Sequence, residues 1–269
     1  MKTSAARTVL YIMLFIVAFV SVFPIAWMAV SATNTSNEVL AGKLLPGTNL
    51  LQNYENLMKS QDLYTALFNS MRNSVVVTFT ALLLCSMAGY GFEIYHDKAK
   101  DRLFSILLLA MMIPFAALMV PLFQIFARMK LLNTTMAIAL PTVATPFLIM
   151  FFRQSARSFP QDLIEAARID GLGEFRIFLQ IFFPTMRATY VAGLTVTFMS
   201  AWNNYLWPRI VLLKKGTQTM PMLVSNLTAG YVTDFGVVML GVLITTIPTV
   251  VIFLSLQRYI TMGIVGAVK

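Results

Sequence analysis

The sequence predicts an all-α membrane protein with six transmembrane helices. The chain of 269 residues is 58% hydrophobic and only 12% charged, about half the roughly 25% charged residues of a soluble domain. Its mean hydropathy is +0.76. Six windows of 20 residues or more contain no Asp, Glu, Lys or Arg. A helix rising about 1.5 Å per residue needs about that length to cross about 30 Å of hydrocarbon.

The predicted spans follow these charge-free windows along the chain. They lie at about residues 9–31, 73–94, 103–127, 132–152, 186–210 and 235–257, with a polar loop at 153–185. The first span follows Lys2 and Arg7, as a signal peptide would. Its apolar stretch, however, is about twice the length of a signal h-region, so we expect an uncleaved helix. Residues 1–269 are expected to form a single transmembrane domain.

The distribution of basic residues predicts the orientation. With six spans, both termini lie on the same side of the membrane. If that side is cytoplasmic, the inside segments carry twelve Lys and Arg residues and the outside segments carry eight. This bias follows the positive-inside rule and predicts cytoplasmic termini. The net charge of +9 is then explained by topology and lipid headgroups, so no nucleic-acid partner is needed.

Prolines interrupt several predicted spans: Pro24, Pro114, Pro121, Pro141, Pro146 and Pro248. Each removes a backbone donor, which predicts kinked helices along a translocation path. The alternative is that membrane helices simply tolerate proline better than soluble ones. The pairs Pro114 with Pro121 and Pro141 with Pro146 favour the functional interpretation, because they place two kinks in one helix.

Several kinds of chemistry are missing from the sequence. The only cysteine, Cys85, and the only histidine, His96, offer neither a disulfide nor a set of metal ligands. The chain has no phosphate-binding loop and no catalytic constellation. Nor do we expect a buried Asp, Glu, His or Arg inside any span, of the kind that ion-driven carriers use. We therefore expect no enzyme activity, no metal and no cofactor bound by this chain.

The polar loop after the fourth predicted span is the most informative segment. Its sequence predicts a short helix that starts with a capping box at Ser158 and Gln161 and stops at a left-handed Gly171. Helical spacing places Leu163, Ala166 and Ala167 on one face, which is flat and open to close approach. A second helix is predicted to carry an interfacial apolar stripe of Phe175, Phe178, Leu179 and Phe182.

The loop also carries a family resemblance. Glu165-Ala166-Ala167-Arg168-Ile169-Asp170-Gly171, followed by Ile181-Phe182-Phe183-Pro184, resembles the EAA loop of ABC-importer permeases in its sugar-transport version. Further similarities include Asn73-Ser74, Ile113-Pro114, Trp202-Asn203-Asn204-Tyr205-Leu206-Trp207-Pro208, Gln257-Arg258-Tyr259 and Gly266-Ala267-Val268-Lys269. Over essentially its whole length the chain resembles the MalG-like permease subunits of carbohydrate ABC importers.

The resemblance implies a fold, a mechanism and partners. The expected fold is the type I ABC-importer permease, or MetI-like, architecture in the plasma membrane of a prokaryote. Glu165, Ala166, Ala167, Asp170 and Gly171 are expected to form a coupling helix that docks in a groove of a cytoplasmic ATPase. Two ATPase copies would bind ATP and Mg, a second permease would complete the path, and an extracytoplasmic binding protein would deliver the sugar. The alternative is a helix lying on the lipid surface.

The position of a bound sugar is less determined by the sequence. Trp202, Asn203, Asn204 and Tyr205 offer aromatic and amide groups for a neutral sugar, but such residues also gather at membrane interfaces and pin helices together. The function expected is the permease subunit of an ATP-driven sugar importer. The alternatives are an ABC permease for another solute, such as glycerol phosphate, a stand-alone secondary carrier and a membrane-bound enzyme.

Overall fold

The computed structural model describes residues 2–230 and 232–266, with side chains described for 6–230 and 232–257. No strand occurs in these ranges. Ala267–Lys269, the end of the C-terminal motif, lie outside the described residues. The α-helices, in chain order, are α1 (Lys2–Ser31), α2 (Ser36–Leu40), α3 (Leu50–Ser60), α4 (Leu63–Ile94), α5 (Lys98–Ala110), α6 (Phe115–Arg128), α7 (Thr135–Ala139), α8 (Pro146–Arg157), α9 (Gln161–Ile169), α10 (Glu174–Ile177), α11 (Phe183–Thr185), α12 (Arg187–Trp202), α13 (Leu206–Val211), α14 (Met220–Leu227) and α15 (Phe235–Gly266). A π-helix at Phe178–Phe182 joins α10 to α11.

Two compact units make up the chain. The first comprises Met1–Tyr64 and Met220–Pro248. Its loops are tied together by Asn53, which is buried and donates hydrogen bonds of 2.9 Å to the carbonyl oxygens of Ala32 and Asn34. Gly236 passes so close that a Cβ there would lie 2.5 Å from the Asn34 carbonyl oxygen. This polar anchor orders the segment between the first two long helices.

The second unit comprises Thr65–Thr219 and Thr249–Lys269. Its core packs α4 against α8, and a Cβ at Gly89 would lie 2.7 Å from both the backbone nitrogen of Arg153 and Cβ of Phe152. Only glycine allows this approach of the two helices. Cys85 is 1% exposed and donates to the Val143 carbonyl oxygen at 3.3 Å. Cys85 therefore packs in the core of this unit.

Three helices are long and apolar enough to cross a membrane alone: Ala6–Ser31, Leu63–Ile94 and Phe235–Gln257. The second begins ten residues before the predicted start at 73, because its polar first turns are held by protein groups. Asn69, for example, donates to the carbonyl oxygens of Gly216 and Gln218 at 2.9 and 3.1 Å. Counting each strongly bent helix pair as one span gives up to five spans among the described residues. The six-span count stays a prediction.

The other predicted spans are not continuous helices. Helices α5 and α6, in the span predicted at 103–127, are bent by 99° relative to each other. The segment predicted at 132–152 is not helical between α7 and α8, and the one predicted at 186–210 is interrupted between α12 and α13. Pro114, Pro141 and Pro146 lie at or beside the first two breaks, because proline lacks the donor and disfavours helix in the preceding residue. Pro24, Pro121 and Pro248, in contrast, stay inside unbroken helices.

Candidate functional site

The polar loop forms the predicted pair of helices, but the first helix starts differently. Its N-cap is Pro160, and no side chain caps it. The capping box predicted at Ser158 is wrong, because Ser158 ends α8 and its hydroxyl donates to the Ser155 carbonyl oxygen at 2.8 Å. The predicted stop is confirmed, since Gly171 has φ of +80°. Helix α9 is therefore closed at its C-terminal end by the residue that the motif assigns.

The two faces of α9 differ from the prediction. Ile164 and Ala167 are 2% and 4% exposed and lie in the core, whereas Leu163 is 44% exposed. The predicted common face of Leu163, Ala166 and Ala167 is thus wrong, because the fold turns Ala167 inward. The outward face is a different stripe at helical spacing: Asp162, Glu165, Ala166 and Ile169.

The outward stripe has a distinctive chemistry. Two carboxylates, Asp162 and Glu165, flank the small Ala166, and Ile169 is 87% exposed. Asp170, the C-cap, and Gly171 are exposed beside it. A surface of this kind fits a partner groove that has cationic groups and an apolar pocket. Sequence reasoning missed Ile169, although its place at i+3 and i+4 from Ala166 and Glu165 was a usable signal.

An aromatic cluster holds the inward face of α9. Tyr90, in the last turns of α4, packs edge-on against Phe178 and Phe182, with ring centroids 5.4 and 4.8 Å apart. Ile164 and Ala167 belong to the same buried cluster. The interfacial stripe predicted for the second helix is therefore split: Phe178 and Phe182 are buried, while Phe175 and Leu179 are exposed. Apolar packing joins α9 to the end of α4.

A polar cluster closes the same junction at the surface. The Arg168 guanidinium donates to both oxygens of the Glu174 carboxylate, at 2.8 and 3.4 Å. The Tyr95 hydroxyl donates to the same carboxylate, and Arg168 lies 5.8 Å from the Tyr95 ring centroid. The hydrogen bond from Arg168, aided by the one from Tyr95, lowers the pKa of Glu174. Because the ion pair is about half exposed, its contribution is small, roughly 0–1 kcal/mol, and the apolar cluster dominates.

A second charged cluster was not found from the sequence. Arg153 is 7% exposed and pairs with Glu93 at 3.0 Å and Asp101 at 2.6 Å. Its guanidinium also lies 4.3 Å from the Phe104 ring centroid, and Arg157 shares the Glu93 carboxylate at 3.2 Å. The cluster ties α4, α5 and α8 together. The oppositely charged partners are separated by 52 to 64 residues, so one sequence gives no signal for the pairing.

The helix breaks of the second unit meet at a cavity of about 620 Å³. Phe115 follows the first break, Pro141 and Thr145 lie in the second, and the third supplies predicted substrate residues. Broken helices around a cavity are typical of transporter binding sites. Asn203, Asn204 and Tyr205 line this cavity.

The fourth predicted substrate residue lies elsewhere. Trp202 is 1% exposed and stacks on Phe198, with ring centroids 5.9 Å apart and ring planes inclined at 16°. It does not line the cavity. The described residues hold no cluster of three or more His, Cys, Asp or Glu side chains that could bind a metal.

Membrane-length apolar helices, a cavity at three helix breaks and an exposed polar helix define a membrane permease subunit. Its family follows from comparison with known proteins. The model of the family described as "Binding-protein-dependent transport system inner membrane component" matches residues 81–265. The chain belongs to this family. It is therefore a membrane component of a transport system that has further proteins.

Relatives with assigned transport roles cover nearly the whole chain. The chain is 42% identical to the lactose transport system permease protein LacG of Rhizobium radiobacter, over 96% of this chain and 95% of that protein. It is 35% identical to the arabinooligosaccharides transport system permease protein AraQ of Halalkalibacterium halodurans, over 94% and 93%. It is 30% identical to the sn-glycerol-3-phosphate transport system permease protein UgpE of Escherichia coli, over 93% and 92%.

A solved structure confirms the fold class. A chain from a bacterial ABC transporter that imports the acidic polysaccharide alginate superimposes with a TM-score of 0.84. The match covers 96% of this chain and 97% of that chain, at 19% sequence identity. The predicted all-α architecture of an ABC-importer permease is therefore confirmed.

Proposed function

We propose that this chain is a permease subunit of an ATP-driven carbohydrate importer in the plasma membrane of a prokaryote. The family membership and the sugar-transport relatives support the assignment. The observation that carries the mechanism is the outward stripe of α9. A soluble partner can reach this stripe, while the opposite face of the helix is fixed to the permease core.

The coupling helix would transmit the motion of an ATPase. Two ATPase copies would bind ATP and Mg, and their closure would move α9 through Glu165, Ala166 and Ile169. Because Ile164 and Ala167 are buried against the cluster around Tyr90, α9 cannot move without displacing the end of α4. A second, related permease would complete the path, and an extracytoplasmic binding protein would deliver the sugar. The cycle would be one of alternating access.

Glycerol phosphate remains the second candidate solute, because UgpE is a relative at 30% identity. Two observations favour the sugar. The identity to the lactose permease is higher, at 42%. In addition, no charged side chain belongs to the described lining of the cavity at the helix breaks, whereas a phosphate site is usually cationic.

Reconstitution tests the proposed function. The chain alone in proteoliposomes should give no ATP-dependent uptake of sugar, whereas the complete importer should give uptake that requires ATP and the binding protein. Robust uptake by the single chain would refute the proposal and favour a stand-alone carrier. Uptake of glycerol 3-phosphate but of no sugar would select the second candidate.

Thiol labelling of intact cells tests the orientation. In a Cys85→Ala background, Ser158→Cys should be protected from an impermeant reagent, because we propose that the polar loop is cytoplasmic. Thr48→Cys, in the segment that we propose to be extracytoplasmic, should be labelled. Both positions are exposed in the structure, so folding does not shield either one. Labelling of Ser158→Cys from outside would invert the topology and remove the coupling role.

A further inference from the structure

A smaller cavity of about 280 Å³ adjoins the helix breaks and presents hydroxyl groups. Thr145 stands immediately before α8, and Thr197 and Ser200 stand one turn apart on α12. Asn204 lines this cavity together with them. Thr145, Ser200 and Asn204 also line the larger cavity, so the same polar groups border both volumes.

Four polar side chains that line this cavity are not used by the protein itself. The hydroxyl of Thr142, which also belongs to the lining, instead donates to the carbonyl oxygens of Ile138 and Ala139 at 3.1 and 3.0 Å. Within the described chain, the side chains of Thr145, Thr197, Ser200 and Asn204 make no hydrogen bond to another protein group. Thr195, on the same helix but buried, instead donates to the Val191 carbonyl oxygen at 2.9 Å. Hydroxyls on membrane helices ordinarily bond to the preceding turn in this way. Open hydroxyls at membrane depth indicate a space that holds water or a polar solute.

We propose that Thr145, Ser200 and Asn204, with Thr197 beside them, form a binding subsite for one ring of a neutral carbohydrate. This inference rests on the proposed function and adds residues that this chain itself contributes. A hydroxyl donates one hydrogen bond and accepts others, and an amide does both as well. Such groups match the hydroxyls of a sugar, which also donate and accept.

The remaining lining fits the same ligand. Phe147 is 46% exposed and borders the cavity, so it offers an apolar surface for the C–H face of a ring. No Asp, Glu, Lys or Arg belongs to the described lining of either cavity, which leaves nothing to neutralise an anionic solute. The larger volume, about 620 Å³, lies within the range of about 300–1,000 Å³ usual for small-molecule sites, and the smaller one, about 280 Å³, lies just below that range.

Uptake by the complete importer in proteoliposomes tests the subsite. Lactose, raffinose and an arabinose disaccharide serve as labelled probes, and the saccharide with the highest wild-type uptake is used for the variants. The double variant Thr145→Val with Ser200→Ala removes two hydroxyls at nearly constant shape. We expect its uptake rate to fall about 5- to 50-fold, as for two lost hydrogen bonds. The matched control is Thr195→Val, which removes a hydroxyl bonded within the helix and should retain uptake within about threefold.

Cysteine protection provides a readout that is independent of turnover. In a Cys85→Ala background, a small impermeant thiol reagent should label Ser200→Cys in the reconstituted importer, and the transported saccharide should slow that labelling. Thr195→Cys should resist labelling in both conditions, because Thr195 is 3% exposed.

The outcomes separate the subsite from the function. A wild-type importer that accumulates none of the saccharides overturns the proposed function and the subsite together. If wild-type uptake is robust, equal rates for the double variant and the Thr195→Val control overturn the subsite alone. An unlabelled Ser200→Cys does so as well, because a lipid- or protein-covered face would then explain the open hydroxyls.

Discussion

Ile169 provides the most direct test of the hypothesis that α9 docks in a groove of an ATPase. Its side chain is 87% exposed on the outward stripe, so the permease alone gains almost nothing from it. Ile169→Ala removes three carbons, and each buried CH₂ contributes about 0.8 kcal/mol. If an ATPase groove buries the side chain, the variant should lose about 2.4 kcal/mol of binding free energy, which corresponds to a roughly 60-fold weaker Kd.

Ile164 provides the matched control for this experiment. It lies on the same helix but is 2% exposed, so Ile164→Ala should reduce the stability of the permease by about 2–5 kcal/mol. Ile169→Ala should change that stability by less than about 0.5 kcal/mol. The assay titrates the partner ATPase onto permease in nanodiscs and measures thermal unfolding of the same samples. An Ile169→Ala variant that binds the ATPase within threefold of wild type would refute docking through this stripe.

Five further substitutions, in three experiments, test the loop. Ala167→Leu should lower the unfolding temperature of the permease, because overpacking costs about 1–3 kcal/mol. Ala166→Leu should leave the unfolding temperature unchanged and weaken ATPase binding. The reverse pattern in melting and pull-down assays would contradict the inward and outward faces assigned to α9. Gly171→Val should reduce the stability of the permease by about 1–2 kcal/mol, because Gly171 has a left-handed backbone. Gly173→Val is the control: its φ is −72°, a Cβ there also meets no atom within 4 Å, and the variant should melt like the wild type. Glu174 has a lowered pKa, so its ion pair contributes stability above the unfolded pKa near 4.5 and loses it as the pH falls through the folded pKa. The small difference in melting temperature between wild type and Glu174→Gln should therefore vanish on acidification, and a difference that grows would count against the ion pair.

Much of the fold follows from local properties of the sequence. Charge-free windows identified the long apolar helices, because transfer of charged groups into hydrocarbon is so unfavourable that their absence is informative. The breaks were only partly predictable. Pro141 and Pro146 indicated distortion within 132–152, but sequence alone does not tell a kink from a departure from the helix. Whether a freed backbone group is satisfied depends on neighbouring helices.

In the candidate site, too, local features could be predicted from the sequence and features that depend on tertiary contacts could not. Gly171 was predictable, since a left-handed stop is a local conformational requirement. The direction in which α9 faces was not. Helical period states which residues share a face, but contacts with Tyr90 and Phe182, distant in sequence, decide that Ile164 and Ala167 turn inward. The subsite hydroxyls were missed for a similar reason, because Thr145 and Ser200 come together only through the fold.

The close approach at Gly89 makes α4 a lever with unequal arms. Backbone contact with α8 pins the helix near Gly89, and the part of α4 that touches the α9 junction lies within about six residues of that point. Thr65 lies 24 residues away on the other side, or about 36 Å at 1.5 Å per residue, against about 9 Å to Tyr95, the residue that directly follows the last turn of α4. If α4 pivots at this contact as a rigid rod, a displacement at the α9 end is multiplied about fourfold at the far end. A shift of about 1 Å beneath α9 would then move the opposite end by about 4 Å, more than the diameter of a water molecule.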